Sequence, residues 1–182
     1  DLSKKQILLH ASRQFIEGDV QHWWHGEEGK GIRTKYSDDL LWLPYVTAEY
    51  VEHTGDWDIL HTEIPFIESE RLAENEDERY DIPWISRETG TLYQHCIRSI
   101  DLSLRFGAHG IPLMGSGDWN DGMNAVGNKG RGESIWLGWF LYTVLKKFIP
   151  LCTGWNDKKR AERYREAASN IVQAIENEAW DG

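Results

Sequence analysis

Apolar residues recur at helical spacing in five stretches of the chain, separated by long polar segments that carry glycine. Beyond a cap at Ser3, Ile7, Leu8, Ala11 and Phe15 share one face of a helix reaching about residue 15. A second helix is expected over about 39–53, with Pro44 in its first turn, where proline is tolerated. Leu92, Cys96, Ile100 and Leu104 mark a third over about 91–105, ended by Gly107. The fourth, about 134–148, is apolar almost all round, which predicts a buried helix, and Pro150 should stop it. The fifth, about 157–179, aligns Tyr164, Ala168, Ile171, Ile175 and Ala179 on one stripe with charges elsewhere. A turn of helix over 57–63 is a weaker signal. No sustained alternation of apolar and polar residues appears outside short loop stretches, so the pattern reads as helical.

The connections are long for such a chain. Helix–helix loops usually run about 2 to 8 residues, and those beyond about 12 to 15 tend to be functional. Segments 16–38, 64–89 and 107–132 all exceed this, and the first and last concentrate Trp, His, Asp and Gly. Each of those two rich segments leads into one of the more apolar helices. If those helices are parallel inner helices of concentric layers, both segments meet at one mouth, as in an (α/α) barrel. In that arrangement Trp136 and Trp139, inside the apolar helix, are expected to serve packing.

At 182 residues, with 40% hydrophobic and 27% charged positions, the chain is large enough for one domain with a proper core. A formal charge of −10 argues against a nucleic-acid partner, whose binding rests on Lys and Arg neutralising phosphates. Cys96 and Cys152 are too few for a disulfide framework, and no leader pattern opens the chain, so a cytoplasmic location is expected. The most apolar run, 135–145, falls short of the roughly 20 residues of a membrane span, and no membrane contact is expected. Tryptophan is the outlier at ten residues, and an indole can serve a core or stack on a sugar ring.

The chemistry concentrates at Gly115-Ser-Gly-Asp-Trp-Asn-Asp-Gly-Met-Asn124. Asp118 and Asp121 flank Trp119 and Asn120 in a glycine-rich turn: an aromatic face, an amide and an acid of the kind that can hold a sugar and protonate a glycosidic oxygen. A turn alone explains the glycines and asparagines; it does not explain Trp119. Near the second helix, Asp38 or Asp39 can be a cap or a first-turn acid, while Arg33 offers a rigid fork of donors. Arginine and aspartate presented together can bridge vicinal sugar hydroxyls. His22-Trp-Trp-His25 lacks the glutamate and third ligand of a zinc motif, so lining of an aromatic pocket is the better reading and no metal is expected. A calcium loop counted from Asp118 would place Lys129 at its twelfth position, where a bidentate glutamate is needed. Gly127 to Gly132 lacks the Gly-Lys-Ser/Thr ending of a phosphate-cradling loop, and Glu133 reads as a helix-start residue.

Six segments taken together are similar to a known family. His22-Trp-Trp-His25, Gly31-Ile-Arg33, Ser37-Asp-Asp-Leu-Leu-Trp-Leu-Pro44, Gly90-Thr-Leu-Tyr93, the decapeptide 115–124 and Gly132-Glu-Ser134 resemble, in order, glycoside hydrolase family 94. This is the family of inverting disaccharide and oligoglucan phosphorylases. Within it, 118–124 and the His-Trp-Trp-His string look most like the phosphorylase-like domain of cyclic β-1,2-glucan synthases, with β-1,2-oligoglucan phosphorylases close behind. The resemblance implies an all-α fold, an incomplete (α/α)₆ barrel occupying residues 1–182 and cut short at the C-terminus. Ala179-Trp-Asp-Gly182 resembles the opening of a further family motif.

By the same resemblance Asp121 matches the general acid, and Trp119 lines the subsite beside it. Arg33 and Asp39 match residues that hold the sugar on the non-reducing side, with Asp38 in support, and Asp118 and Asn120 complete the expected binding set. Inorganic phosphate is then a co-substrate beside an oligosaccharide, with no bound cofactor, and the groups that bind phosphate are expected beyond Gly182. Acting as an acid requires Asp121 to start protonated, which predicts a buried, apolar setting. Two other readings stay open: a hydrolase with a base carboxylate across the cleft, and a sugar-binding piece without turnover. Exposed apolar flanks would favour self-association, with a homodimer the expected form.

Overall fold

The computed structural model describes residues 1–180, so Asp181 and Gly182, the end of the last motif, lie outside the described residues. Five long helices form, with ends set by side chains that take up free N–H groups. Helix α1 (Leu2–Ala11) is capped by Asp1, which accepts from Ser3 N at 2.9 Å, and it stops before Phe15, which buries from the following turn. Helix α2 (Asp39–Thr54) carries Pro44 inside it rather than in its first turn, and ends on Gly55 with φ of 69°. Helix α3 (Leu92–Ser103) opens with a capping box, in which Gln94 N donates to Thr91 Oγ1 and Thr91 N donates to Gln94 Oε1. After a single turn, α4 (Asn124–Gly127), come α5 (Ile135–Gly154) and α6 (Lys158–Glu178), capped by Ser134 and Asp157. Pro150 does not stop α5, which continues one turn past it.

The core lies between α5 and α6 and between α2 and its neighbours α3 and α5. Leu137, Leu141, Val144, Leu145, Phe148 and Leu151 form one buried stripe of α5, and Tyr164, Ala168, Ile171 and Ile175 answer from α6. A β-carbon on Gly138 would lie 2.9 Å from Ile175 Cδ1, a measure of how closely the two helices approach. Helices α2 and α5 run parallel. Trp42 meets Phe140 near their starts, at 4.6 Å between ring centroids, and Lys147 reaches Glu49 further along at 2.8 Å.

Two expectations are overturned here. The fold is mixed α/β rather than all-α: β1 (Gln21–Trp24), β2 (Gly31–Thr34) and β4 (Glu78–Asp81) form one antiparallel sheet in the order β1-β2-β4, and β3 (Glu63–Glu68) pairs with β5 (Trp84–Thr91) in another. These strands occupy the segments read as long loops. They are four to eight residues long and lack a clean apolar face, so period-2 patterning is silent. Cross-strand pairing is how such segments satisfy their backbone N–H and C=O groups. Pro65 sits where β3 shifts register against β5, the place a strand tolerates proline. The second correction concerns α5, which is not buried all round. Ile135, Trp136 and Trp139 are exposed on its outer face, so neither tryptophan is a core residue. By length and composition α5 could cross a membrane, yet its buried stripe packs on α2 and α6.

Candidate active site

The site is assembled by a clasp between two segments distant in sequence. Ser37 N donates to Gly117 O at 2.9 Å, and Ser37 Oγ reaches Met114 O at 2.7 Å and Gly117 O at 3.1 Å. Gly115 makes the crossing feasible: its φ is 70°, and a β-carbon there would collide with Lys35 O. The clasp brings the 118–121 loop beside the N-terminal end of α2, where Asp38 and Asp39 lie.

Within the loop, Asp118 is fully buried, accepting from Asn120 N at 2.9 Å and from Ser134 Oγ at 2.5 Å. Ser134 in turn accepts from Leu137 N at 3.0 Å, so one carboxylate ties the loop to the cap of α5. The Asp118–Asn120 turn throws the two intervening and following side chains outward: Trp119 is 64% exposed, and the Asp121 side chain is 60% exposed. Asp121 thus stands at an open lip, not in the buried, apolar setting expected for it.

Trp119 is the outermost ring of an aromatic shelf. It lies 5.9 Å from Trp42 and 6.3 Å from Trp136, the latter near-parallel at 29°, while Phe140 contacts both of those rings from behind. The parallel run of α2 and α5 accounts for this, since Trp42 and Trp136 both sit in first turns. Near-parallel indoles open to solvent are a surface on which flat apolar faces of sugar rings can stack.

At the head of α2 the two neighbouring acids differ. Asp38 is buried and accepts from Trp42 Nε1 at 3.0 Å; burial pushes its carboxyl up to about 6, helped by the charges of Asp39 and Asp118. Asp39 accepts from Thr34 Oγ1 at 3.1 Å and lies 3.0 Å from His22 Nδ1 through both oxygens. His22 Nε2 faces Asp121 Oδ2 at 4.0 Å. The hydrogen bond to Asp39 holds the imidazole above its ordinary range, against the opposing effect of burial.

Arg33 faces elsewhere. Its guanidinium is buried over the Phe15 ring and grips Asp19 (2.6 and 2.7 Å) and Glu17 (3.0 Å). It borders a hollow of about 490 Å³ shared with Tyr36, Arg105 and Lys129, whose walls include neither Asp39 nor Asp121. The structure therefore brings Asp39, Asp121 and Trp119 to one lip around His22 and Trp42, leaves Asn120 exposed on the loop between them, seals Asp38 and Asp118 beneath, and sets Arg33 to one side. Among the described residues no group of three His, Cys, Asp or Glu side chains converges as a metal site.

Sequence reasoning read His22 only as pocket lining and Trp136 as packing. The signal for His22 lies in pairing rather than composition: Gln21 pairs with Arg33 and Trp23 with Ile32, leaving a bulge at His22 that aims its ring at α2.

An open carboxyl beside an aromatic shelf is the arrangement of a carbohydrate-active enzyme. The chain belongs to the glycosyl hydrolase 94 superfamily, matching its catalytic domain over residues 1–182. It is 44% identical over 182 residues to cyclic beta-(1,2)-glucan synthase NdvB of Rhizobium meliloti (strain 1021), covering 100% of this chain and 6% of that protein. It is 30% identical over 169 residues to 3-O-beta-D-glucopyranosyl-beta-D-glucuronide phosphorylase of Paenibacillus borealis, covering 91% of this chain and 20% of that protein. The 1,2-beta-oligoglucan phosphorylase of Listeria innocua serovar 6a is 25% identical over 179 residues, covering 92% and 14%. The chain thus spans a small part of each relative's length, and the family resemblance carried by its six motifs holds.

Proposed function

We propose that this chain supplies the acid side of an inverting phosphorylase site acting on a β-glucan or a β-linked disaccharide. The observation that carries this is the open Asp121 carboxyl beside the Trp119 shelf, in a chain whose relatives include phosphorylases. A sugar ring stacked on the indole brings its bridging oxygen to the carboxyl. Asp121 gives its proton to that oxygen as the bond to the anomeric carbon breaks. Inorganic phosphate attacks that carbon from the opposite face and departs with the sugar as its 1-phosphate.

An inverting hydrolase needs a second carboxylate to activate water. Phosphate arrives already anionic and nucleophilic, so one acid suffices. Asp39, held by His22 and Thr34, and Asp38, closed off under Trp42, then shape the subsite rather than serve as bases.

Asp121→Asn should reduce release of sugar 1-phosphate by at least about 10²-fold, the ordinary worth of a general acid, with oligosaccharide affinity near wild type. A coupled assay for sugar 1-phosphate, run with and without phosphate, checks this. Unchanged release in the variant, or free sugar formed without phosphate, would reject the proposal.

A further inference from the structure

The acid stands open to water, and an imidazole already gripped by another carboxylate stands next to it. We infer that His22 is the positioning residue of Asp121: anchored through Nδ1 by Asp39, it turns its Nε2–H toward the acid and keeps in store the proton that Asp121 delivers. This deepens, and rests on, the phosphorylase reading above.

The argument begins with what a carboxylate can do. Asp39 lies 3.0 Å from Nδ1 through both of its oxygens and can only accept, so Nδ1 carries a hydrogen. Thr34 Oγ1 donates to the same carboxylate at 3.1 Å, which fixes the anchor on the strand side. The ring is thereby oriented, and the nitrogen it presents to the loop is Nε2, 4.0 Å from Asp121 Oδ2. That gap is longer than a hydrogen bond, and such contacts commonly tighten when substrate closes over the site.

The groups around His22 come from three directions. Asp39 and, farther off, Asp38 belong to the head of α2; Asp121 belongs to the loop; the Tyr36 ring meets the imidazole edge-on at 5.0 Å. The charged ones among them are all acidic, and with Asp39 leading they favour the imidazolium, which then has a donor at each nitrogen.

The hydrogen bond to Asp39 favours the protonated imidazole, which makes His22 the store from which Asp121 is recharged. In the reaction the Asp121 proton bonds to the bridging oxygen, which keeps the electron pair of the broken C–O bond. The Nε2 proton of His22 moves to Asp121, leaving a neutral imidazole with its Nδ1–H still on Asp39. The phosphate oxygen supplies the electron pair of the new bond to carbon. The site has then given up one proton, which solvent returns to His22.

The alternative is a histidine that merely fastens β1 to α2. Ring titration of His22 by NMR in this chain separates the two. Asp39→Asn should lower the His22 pKa furthest, and Asp121→Asn, at an exposed position that should not disturb folding, should lower it too. In phosphorolysis, His22→Gln should cut kcat by about tenfold or more with KM for the oligosaccharide little changed, and should move the alkaline limb of the kcat profile to lower pH. A His22 titration indifferent to Asp121→Asn, or a pH profile that ignores His22→Gln, overturns the inference. Coupling without any phosphorolysis by the full-length protein that carries this chain would overturn the phosphorylase reading alone; phosphorolysis without coupling would overturn this one alone.

Discussion

Asp38 and Asp39 are adjacent in sequence, yet one is sealed in and the other reaches an open histidine. Asp38 is held at about 6, chiefly by burial, whereas its unfolded value is about 3.9. The folded chain therefore binds this proton more tightly, and raising the pH through the window from about 4 to 6 costs stability, up to about 3 kcal/mol by linkage. His95, stacked on Phe66 and lowered to about 4 by burial, works the other way, losing stability as pH falls from about 6.5. Asp38→Asn keeps an acceptor for Trp42 Nε1 and removes the buried charge. It should raise the urea midpoint at neutral pH and, with nothing left to offset His95, make stability fall more steeply from neutral to pH 4 than in wild type. A variant less stable than wild type at neutral pH would show that the charge is needed for more than its hydrogen bond.

Residue identity made part of the site legible. Trp119 and Asp121 are unusual in a glycine turn and were readable as chemistry; both stand exposed at the lip. His22 was not readable as a partner of Asp39, because the two are 17 positions apart and meet only through a bulged strand. Arg33 looked like a sugar ligand for the reason that makes it a good structural clamp: its planar fork suits Asp19 and Glu17 as well as it would suit hydroxyls.

Helices were legible as elements because burial on one side writes a 3.6-residue period into the sequence. Their limits were less so. The stop assigned to Pro150 failed because a proline near a helix end forgoes a single hydrogen bond, which the packing of Leu151 and Cys152 offsets. The strands left no period, being short and polar on both faces over much of their length. Gly138 carries an element-scale prediction. Gly138→Ala places one carbon against the movable tip of Ile175 and should be close to neutral, since the strain is set against better helix propensity. Gly138→Val adds branches that Ile175 and Ile171 cannot clear and should destabilise by about 1–3 kcal/mol. Chemical denaturation of the pair checks this, and equal stabilities would mean that α6 shifts freely on α5.

At the scale of the molecule, apolar side chains stand exposed over residues 80–85, where the chain passes from one small sheet to the other. Tyr80, Ile82, Trp84 and Ile85 are exposed, Ile85 by 73%, along β4, β5 and the turn between them. Among the described residues, strand β5 pairs on one side only, with β3. An open edge with apolar side chains is a template for another strand, and we propose that self-association of this chain runs through it. Ile85→Lys should lower the concentration-dependent mass seen by sedimentation while leaving the helical circular dichroism signal intact. Persistent association in the variant would place the contact elsewhere.

The clasp of Ser37 on Met114 and Gly117 ties residues 77 positions or more apart, across all of α2 and α3. A knot of so few bonds over so long a span brings its ends together after local helices have formed and lets go before they melt. Warmth should thus scatter Asp121 from its neighbours while the helices persist, so that catalytic capacity fades at a lower temperature than secondary structure.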